Sequence, residues 1–169
     1  RGLGDVYKRQ AQQHAFSRHS QLLCRDIMAK DLLTITSETS LQTAWQLLRR
    51  HKVSMLPVID QQRQLVGIFT LVDVVKDLTE SDLFSFRTQI LSWLKPQPDS
   101  ARATVGDWMN RKLVTVKETD HIAALIPLLA HNGLHQVPVL NAAQQLCGII
   151  TQSDLLATLV QQQPLQQVV

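Results

Sequence analysis

The fold is decided by the stretch LPVIDQQRQLVGIFTLVD at residues 56–73, which recurs as VPVLNAAQQLCGIITQSD at residues 137–154. The two stretches lie 81 positions apart, and the same offset places Asp26 on Asp107 without a gap. Self-similarity at one fixed period indicates a tandem repeat. A unit of about 55 residues buries only about 60% of its unfolded surface, so one copy alone is expected to be marginal. We therefore predict two copies that stabilise each other.

Each copy is predicted to fold in the order β-α-β-β-α. In the first copy, residues 32–35 form a short apolar run that predicts a strand. Residues 37–39 offer hydroxyl and carboxylate groups that can cap a helix, and apolar residues from Leu41 to Leu48 follow at helical spacing. The sequence thus predicts a strand and then an amphipathic helix.

Two further runs, residues 53–59 and 65–69, flank a polar turn and predict a β-hairpin. Pro57 cannot donate a backbone hydrogen bond, which predicts an edge or an end of the sheet. A last helix is predicted to start near Thr70. In the second copy, Gly133 is predicted to end the first helix, and Pro127 is predicted to bend it.

The fold class is therefore α/β, in an α+β arrangement of two repeats packed with pseudo-two-fold symmetry. The predicted organisation is a tail at 1–20, a first repeat at 21–78, a linker at 79–104, a second repeat at 105–160 and a disordered tail at 161–169. The linker is predicted to hold an amphipathic helix at 82–94. Residues 1–10 resemble adapter-derived sequence at broken ends of metagenomic proteins, so the chain is interpreted as a fragment.

Composition excludes several classes of function. The net charge of +3 is spread over short clusters and forms no basic stripe, so no nucleic-acid partner is expected. Two cysteines are too few for a disulfide framework or a cysteine-rich zinc site, which favours a reduced cytosolic compartment. His131 and His135 have a glycine between them and no third ligand nearby, so no metal is expected. No catalytic motif is present, and an enzyme is not expected.

Two heptapeptides carry the chemistry, Gly67–Asp73 and Gly148–Asp154, each where a strand is predicted to turn into a helix. Glycine lets another group approach the backbone, and the helix start that follows favours an anion such as phosphate. An aspartate three residues after the threonine can accept hydrogen bonds from the diol of a ribose. The same Thr-x-x-Asp pattern is also a capping box that merely starts a helix, so both interpretations stay open here.

With Asp26-Ile-Met28, Leu56-Pro-Val-Ile-Asp60 and the heptapeptides, the chain resembles CBS domains over residues 21–160. The resemblance implies a regulatory module that senses AMP, ADP, ATP or another adenosyl compound in a cleft where the repeats meet. The implied module requires no cofactor. The resemblance also implies a homodimer formed through the CBS helices. A ligand-free dimerisation module is the alternative. Residues 22–28, and residues 133–139 followed by 151–155, resemble the soluble C-terminal region of HPP-type integral membrane proteins, which implies a cytoplasmic module attached to a membrane domain.

The resemblance also implies two unequal ligand sites. The first would comprise Ile149, Thr151, Ser153 and Asp154, walled by Met28, Val53 and Ser54, with His135 as the phosphate contact. The second would comprise Ile68, Thr70 and Asp73, with Met109, Leu134 and His135. The second is the poorer site, because Val72 replaces the hydroxyl of Ser153 and Ser54 stands where a basic residue would help.

Overall fold

The computed structural model describes residues 22–72 and 103–161. The elements within them are α1 (Cys24–Ile27), α2 (Leu41–His51), β1 (Met55–Ile59), β2 (Leu65–Thr70), α3 (Val105–Trp108), β3 (Val116–Lys117), a 3-10 turn (Ile122–Ala124), α4 (Leu125–His131), β4 (Gln136–Leu140), β5 (Leu146–Thr151) and α5 (Gln152–Gln161). These elements confirm the mixed α/β class and the two repeats. The strand predicted at 32–35 is reduced to a single bridge, between Ile35 and Val58. The predicted terminal tails, the linker helix and Asp73 lie outside the described residues.

The chain divides into two compact units that do not coincide with the sequence repeats. The first-repeat unit holds the sheet of the first repeat and consists of residues 33–72 and 103–113. The second-repeat unit consists of residues 114–161 and 22–32. The leading segment of each repeat, residues 22–32 or 103–113, therefore folds with the sheet of the other repeat.

The sheet of the second-repeat unit joins local and distant strands. β3 pairs in parallel with β4, and β4 pairs antiparallel with β5. Beyond β5, Ala29 and Ile149 exchange two backbone hydrogen bonds, at 2.9 and 3.1 Å. The core below the sheet is aliphatic and comprises Cys24, Val116, Ile122, Leu125, Leu129, Val137, Val139, Ile150 and Leu155. The leading segment thus contributes both an edge strand residue and a core side chain.

The first-repeat unit has a similar arrangement, with its hairpin 81 positions earlier, its leading segment 81 positions later, and a single bridge at Ile35 in place of β3. β1 and β2 form the predicted antiparallel hairpin, and Asn110 and Ile68 exchange backbone hydrogen bonds at 2.8 and 3.0 Å. Both hairpins shift register at the equivalent place, between Val58 and Ile59 and between Val139 and Leu140. The core comprises Ile35, Leu41, Ala44, Leu48, Leu56, Val58, Phe69, Val105 and Met109.

The prediction that Pro57 marks an edge or an end of the sheet is wrong. Pro57 is fully buried in the middle of β1, with β2 on one side and a parallel bridge between Ile35 and Val58 on the other. The Ile35 N–H donates to Pro57 O at 3.0 Å, and the Ile59 N–H donates to Ile35 O at 2.9 Å. This parallel pair uses the carbonyl of proline and never its missing N–H, so an interior position is tolerated.

The helix ends follow local chemistry with two departures from expectation. Ser40, rather than residues 37–39, caps α2, and its side chain accepts from the Thr43 N–H. The Thr39 hydroxyl is engaged instead in a turn, where it accepts from the Thr36 N–H. In the second repeat, the chain enters α4 through the 3-10 turn, and Pro127 occupies the third residue of α4. The N–H groups of a first helical turn have no intrahelical acceptor, so proline is tolerated there.

Candidate functional site

The corner where β5 meets α5 is closed by a reciprocal set of hydrogen bonds. Asp154 Oδ2 accepts from the Thr151 N–H at 2.8 Å and from the Thr151 hydroxyl at 2.7 Å. The Asp154 N–H donates back to Thr151 Oγ1 at 3.1 Å. This is a capping box, and it starts α5 directly after the strand. The capping interpretation of the Thr-x-x-Asp pattern is therefore confirmed in the second repeat.

The capping box uses only one of the two carboxylate oxygens of Asp154. A carboxylate has about four acceptor positions on its two oxygens, and both recorded bonds reach Oδ2. Within residues 22–72 and 103–161, Oδ1 has no hydrogen-bond partner. Asp154 is half-buried. The cap fixes the carboxylate through Oδ2 and leaves Oδ1 able to accept a hydrogen bond from a hydroxyl group.

The first turn of α5 also has one backbone N–H group, that of Ser153, with no partner among the described residues. The Gln152 N–H donates to His135 O at 3.1 Å, and the Asp154 N–H is taken by Thr151. Ser153 lies between them, is exposed, and has no recorded partner for its N–H or hydroxyl among the described residues. A free N–H at the start of a ten-residue helix favours an anion, because the helix dipole is positive there.

Met28 packs on β5 at Gly148, three residues before Thr151. The Ala29–Ile149 hydrogen bonds bring the leading segment against the strand, and the Met28 side chain packs directly on Gly148. A Cβ on residue 148 would overlap Met28 Sδ and would lie 2.6 Å from its Cγ and 2.8 Å from its Cβ. Glycine is required here because the thioether occupies the space of a side chain.

A cysteine borders the same methionine. Cys147 Sγ lies 4.0 Å from Met28 Sδ and 4.0 Å from Glu118 Oε2, and it donates to Val139 O at 3.4 Å. Burial, followed by the nearby Glu118 carboxylate, raises the pKa of the Cys147 thiol. The thiol is therefore held in its neutral form, which favours a packing role over a nucleophilic one.

His135 and Gln152 form a contact that the sequence reasoning missed in part. His135 was expected as a phosphate contact, and it is exposed. The heptapeptide pattern predicts no role for Gln152, yet its side-chain oxygen lies 3.4 Å from His135 Nδ1. Its amide nitrogen also donates to Leu129 O and Leu134 O, each at 3.1 Å. The only available sequence signal was a polar residue where the first repeat has Leu71.

The equivalent corner of the first-repeat unit is simpler. Gly67 is covered by Met109, as Gly148 is by Met28. Thr70 ends β2, Val72 is 62% exposed, and the chain turns helical at residues 71–72. Asp73 lies outside the described residues.

The structure divides the expected site residues between the two units. The second-repeat unit holds Met28, Leu134, His135, Ile149, Thr151, Ser153 and Asp154. The first-repeat unit holds Val53, Ser54, Ile68, Thr70 and Met109. The first predicted site therefore has most of its residues in one unit, and the roles of Val53 and Ser54 as walls stay predictions.

Residues 22–72 and 103–161 lack two kinds of feature. These ranges hold no group of three or more His, Cys, Asp or Glu side chains that could bind a metal ion. They also hold no helix with the length and hydropathy needed to cross a membrane.

Each of the two small sheets leads into a helix after a Gly-x-x-Thr sequence, and a methionine from the leading segment of the other repeat packs on its glycine. These features define a tandem α+β repeat module. The chain belongs to the CBS domain family, whose model matches residues 24–80 and 105–161.

Several solved CBS structures are similar to the chain. CBSX2 in complex with AMP has a TM-score of 0.65 at 24% identity, covering 84% of this chain and 99% of that chain. The CBS domain pair of protein MJ0100, in complex with 5'-methylthioadenosine and S-adenosyl-L-methionine, has a TM-score of 0.62 at 22% identity, covering 84% and 98%. The CBS domain of a membrane protein from Sphaerobacter thermophilus has a TM-score of 0.66 at 24% identity, covering 90% and 96%.

Among curated relatives, L-aspartate semialdehyde sulfurtransferase of Methanocaldococcus jannaschii is 25% identical over 133 residues. The match covers 79% of this chain but only 22% of that protein. The chain thus spans about a fifth of the length of this relative.

Proposed function

We propose that this chain is a regulatory CBS-pair module that binds an adenine nucleotide, or a related adenosyl compound, at the corner of β5 and α5. The observation that carries the proposal is the half-used carboxylate of Asp154, fixed by Thr151 through Oδ2 with Oδ1 unpartnered among the described residues. The adenosyl ligands of CBSX2 and of the MJ0100 domain pair support the same class of ligand. The module regulates and does not catalyse.

The ligand groups can be matched to the corner by chemistry. Asp154 Oδ1 accepts from a ribose hydroxyl, and such charge-assisted hydrogen bonds are stronger than neutral ones. The Thr151 hydroxyl already donates to Asp154, so it has no second proton to give to a phosphate. The phosphate is therefore left to the Ser153 N–H and hydroxyl and to His135. Met28, a polarizable thioether that packs on Gly148 three residues before Thr151, offers an apolar surface for the adenine.

The regulatory output is proposed to reach an attached or partner membrane domain. The support is the similarity to the Sphaerobacter thermophilus domain, which comes from a membrane protein. A ligand shifts a conformational equilibrium only by its difference in affinity for the two states. The adenosyl ligand must therefore bind one arrangement of the module more tightly than another.

A second candidate function is assembly without a ligand, as a homodimer formed through helices. The capping box is satisfied internally, as a purely structural corner requires. In addition, α4 and α5 enclose an apolar groove of about 280 Å³, lined by Ile126, Leu129, Ala130, Gln152, Leu155, Leu156 and Leu159. Leu156 and Val160 are 60% and 68% exposed on α5. Sensing and dimerisation are compatible with each other.

The binding test is isothermal titration calorimetry with AMP, ADP, ATP and S-adenosylmethionine. One hydrogen bond to a charged group contributes about 1.5–3 kcal/mol, so Asp154→Ala should weaken binding by about tenfold to a hundredfold. The matched control is Asp107→Ala, which removes an equivalent capping box, with bonds of 3.2 and 3.1 Å from Thr104 to Asp107 Oδ2. Asp107→Ala should lose similar stability but keep its affinity within about threefold. Asp73→Ala is expected to matter less than Asp154→Ala.

Absence of heat with all four compounds, in folded protein, would contradict the sensor proposal. Equal losses of affinity in Asp154→Ala and Asp107→Ala would contradict the assignment of the site. Sedimentation of wild type and Leu156→Asp tests the second candidate. A dimer that Leu156→Asp dissociates supports assembly through α5, and a monomeric wild type refutes it.

A further inference from the structure

We infer that Gln152 is a positioning residue that fixes the protonation and orientation of the His135 ring, so that Nε2 is the nitrogen presented to a ligand phosphate. The inference rests on the proposed function for its ligand, but its central claim concerns the free protein. Gln152 is the first residue of α5.

The orientation of the Gln152 amide is determined by two carbonyl groups. Nε2 donates to Leu129 O, in the last turns of α4, and to Leu134 O, in the loop that follows. An amide NH₂ has two donor hydrogens, and both are used here. The reverse orientation would place Oε1 against two carbonyl oxygens, with no proton at either contact. The amide can therefore take only one of its two orientations.

The fixed amide determines which nitrogen of His135 carries the proton. Oε1 lies 3.4 Å from His135 Nδ1, and an amide oxygen has only lone pairs to offer. The contact is attractive when Nδ1 is protonated and repulsive when Nδ1 is bare. A neutral imidazole has one protonated nitrogen, and the partner of one nitrogen sets the state of the other. Neutral His135 is thus the Nδ1–H form, with Nε2 free.

Gln152 also holds the backbone that carries the ring. The Gln152 N–H donates to His135 O at 3.1 Å, so one residue ties both the main chain and the side chain of His135 to the start of α5. Ser153, the proposed phosphate contact, is the next residue. When the ring is protonated, Nδ1–H keeps its bond to Gln152 and Nε2–H becomes the donor available to a phosphate.

The first repeat lacks this pair, which shows that the fold does not need it. The residues 81 positions before Gln152 and His135 are Leu71 and Ser54. Leu71 packs against the core of the first-repeat unit and has no polar group to orient a ring. Glutamine and histidine occur together in one repeat and are replaced together in the other, as expected if they act as a pair.

The direct test is the tautomer of His135 in the free protein, measured by long-range ¹H–¹⁵N correlation NMR of the six histidines. A His135→Asn variant identifies the signal. We expect the Nδ1–H form in wild type. In Gln152→Lys, the ammonium can still donate to the carbonyls but offers no acceptor, so His135 should shift to the Nε2–H form. An Nε2–H ring in wild type, or no change in Gln152→Lys, overturns the inference.

The functional test compares AMP with 5'-methylthioadenosine, which has no phosphate. Gln152→Leu copies the residue of the first repeat and should weaken AMP binding by about two- to tenfold, the range expected for one hydrogen bond. Binding of 5'-methylthioadenosine should change less than twofold. In a His135→Ala background, Gln152→Leu should have no further effect on AMP. Equal losses for both ligands would show a purely structural role and refute the positioning role.

The two tests separate this inference from the proposed function. If no adenosyl compound binds wild type while His135 is in the Nδ1–H form, the proposed function fails and the positioning of the ring stands. If AMP binds while His135 is in the Nε2–H form, the inference alone fails. Should Gln152→Leu not fold, the wild-type and Gln152→Lys spectra still decide.

Discussion

Replacing Gly67 by alanine should place a methyl group against Met109. A Cβ on residue 67 would lie 2.5 Å from Met109 Sδ, 2.9 Å from Met109 Cγ and 3.3 Å from Asn110 O. Met109 is only 8% exposed, so it has little room to withdraw. Its backbone is held as well, because the neighbouring Asn110 pairs with Ile68. The substitution must therefore push the methionine side chain off the strand.

The expected cost is a balance of two effects. Overpacking a filled site costs typically about 1–3 kcal/mol. Alanine in a strand is favoured over glycine by about 0.5–1 kcal/mol, because glycine loses more backbone freedom on folding. Gly67 is not in the left-handed region, so alanine adds no backbone strain. Gly67→Ala should lower the free energy of unfolding by about 1–2 kcal/mol.

A double-mutant cycle isolates the contact. Met109→Ala removes the two atoms nearest to the new methyl and leaves only Asn110 O, at 3.3 Å. In that background Gly67→Ala should be neutral or stabilising by about 0.5 kcal/mol. The coupling between the two sites is then about 2 kcal/mol, within the range found for residues in contact. Urea unfolding of the four proteins, followed by circular dichroism, measures it.

The second repeat provides an internal comparison. Gly148→Ala would also meet the Cβ of Met28, at 2.8 Å, and alanine at position 28 retains that atom. Met28→Ala should therefore rescue Gly148→Ala less completely than Met109→Ala rescues Gly67→Ala. Independent sites deviate from additivity by up to about 0.5 kcal/mol. A coupling energy between Gly67 and Met109 below that value would refute the packing argument.

Two further predictions concern pH and helix termination. Burial, followed by the nearby Asp120 carboxylate, raises the pKa of Cys24 from 9.0 to about 11; the unfolded chain therefore ionises first as pH rises, and about 2–3 kcal/mol of stability should be lost between pH 9 and 11. Urea titrations should show this step in wild type and Cys147→Ser, and a smaller one in Cys24→Ala, where the Cys147 thiol with its raised pKa remains; an undiminished step in Cys24→Ala would exclude Cys24 as the source. Gly133 has φ +62 with open space around its Cα, so Gly133→Ala should cost about 1–2 kcal/mol from the backbone alone. Lys52 is the counterpart of Gly133 in the first repeat and has φ 53, so Lys52→Gly should stabilise the protein by up to about 1 kcal/mol. Thermal unfolding that shows both variants destabilised, or both stabilised, relative to wild type would contradict this.

Local pattern was enough to predict the elements that depend on neighbours in sequence. The hairpin of β1 and β2 was readable from two apolar runs around a polar turn, and its pairing confirms this. The burial of Leu41, Ala44 and Leu48 confirms the helical spacing of α2. Gly133, at positive φ one residue beyond the C-cap Asn132, follows the end of α4 as predicted. Each of these features needs only the residues that form it.

Features that depend on distant partners were beyond the sequence. The pairing of Ala29 with Ile149 joins residues from different repeats, and the leading segment that carries Ala29 is too short to show a period. Pro57 was misplaced because its parallel neighbour Ile35 pairs through a single bridge. Gln152 looked like a spacer in the heptapeptide, because its role comes from carbonyl groups in α4 and the following loop. A capping box and a ribose site also share one Thr-x-x-Asp pattern, and the sequence does not show that the cap uses only Oδ2 of Asp154.

The exchange of leading segments sets an order of events during synthesis. The ribosome completes β2 at Thr70, but Asn110, the edge partner of Ile68, is made 40 residues later. At about 5–20 residues per second, the nascent hairpin waits about 2–8 s for its edge to be covered. An uncovered strand edge is a template for pairing with other chains. Slowly translated or truncated copies of this chain should therefore be the ones that depend most on chaperones.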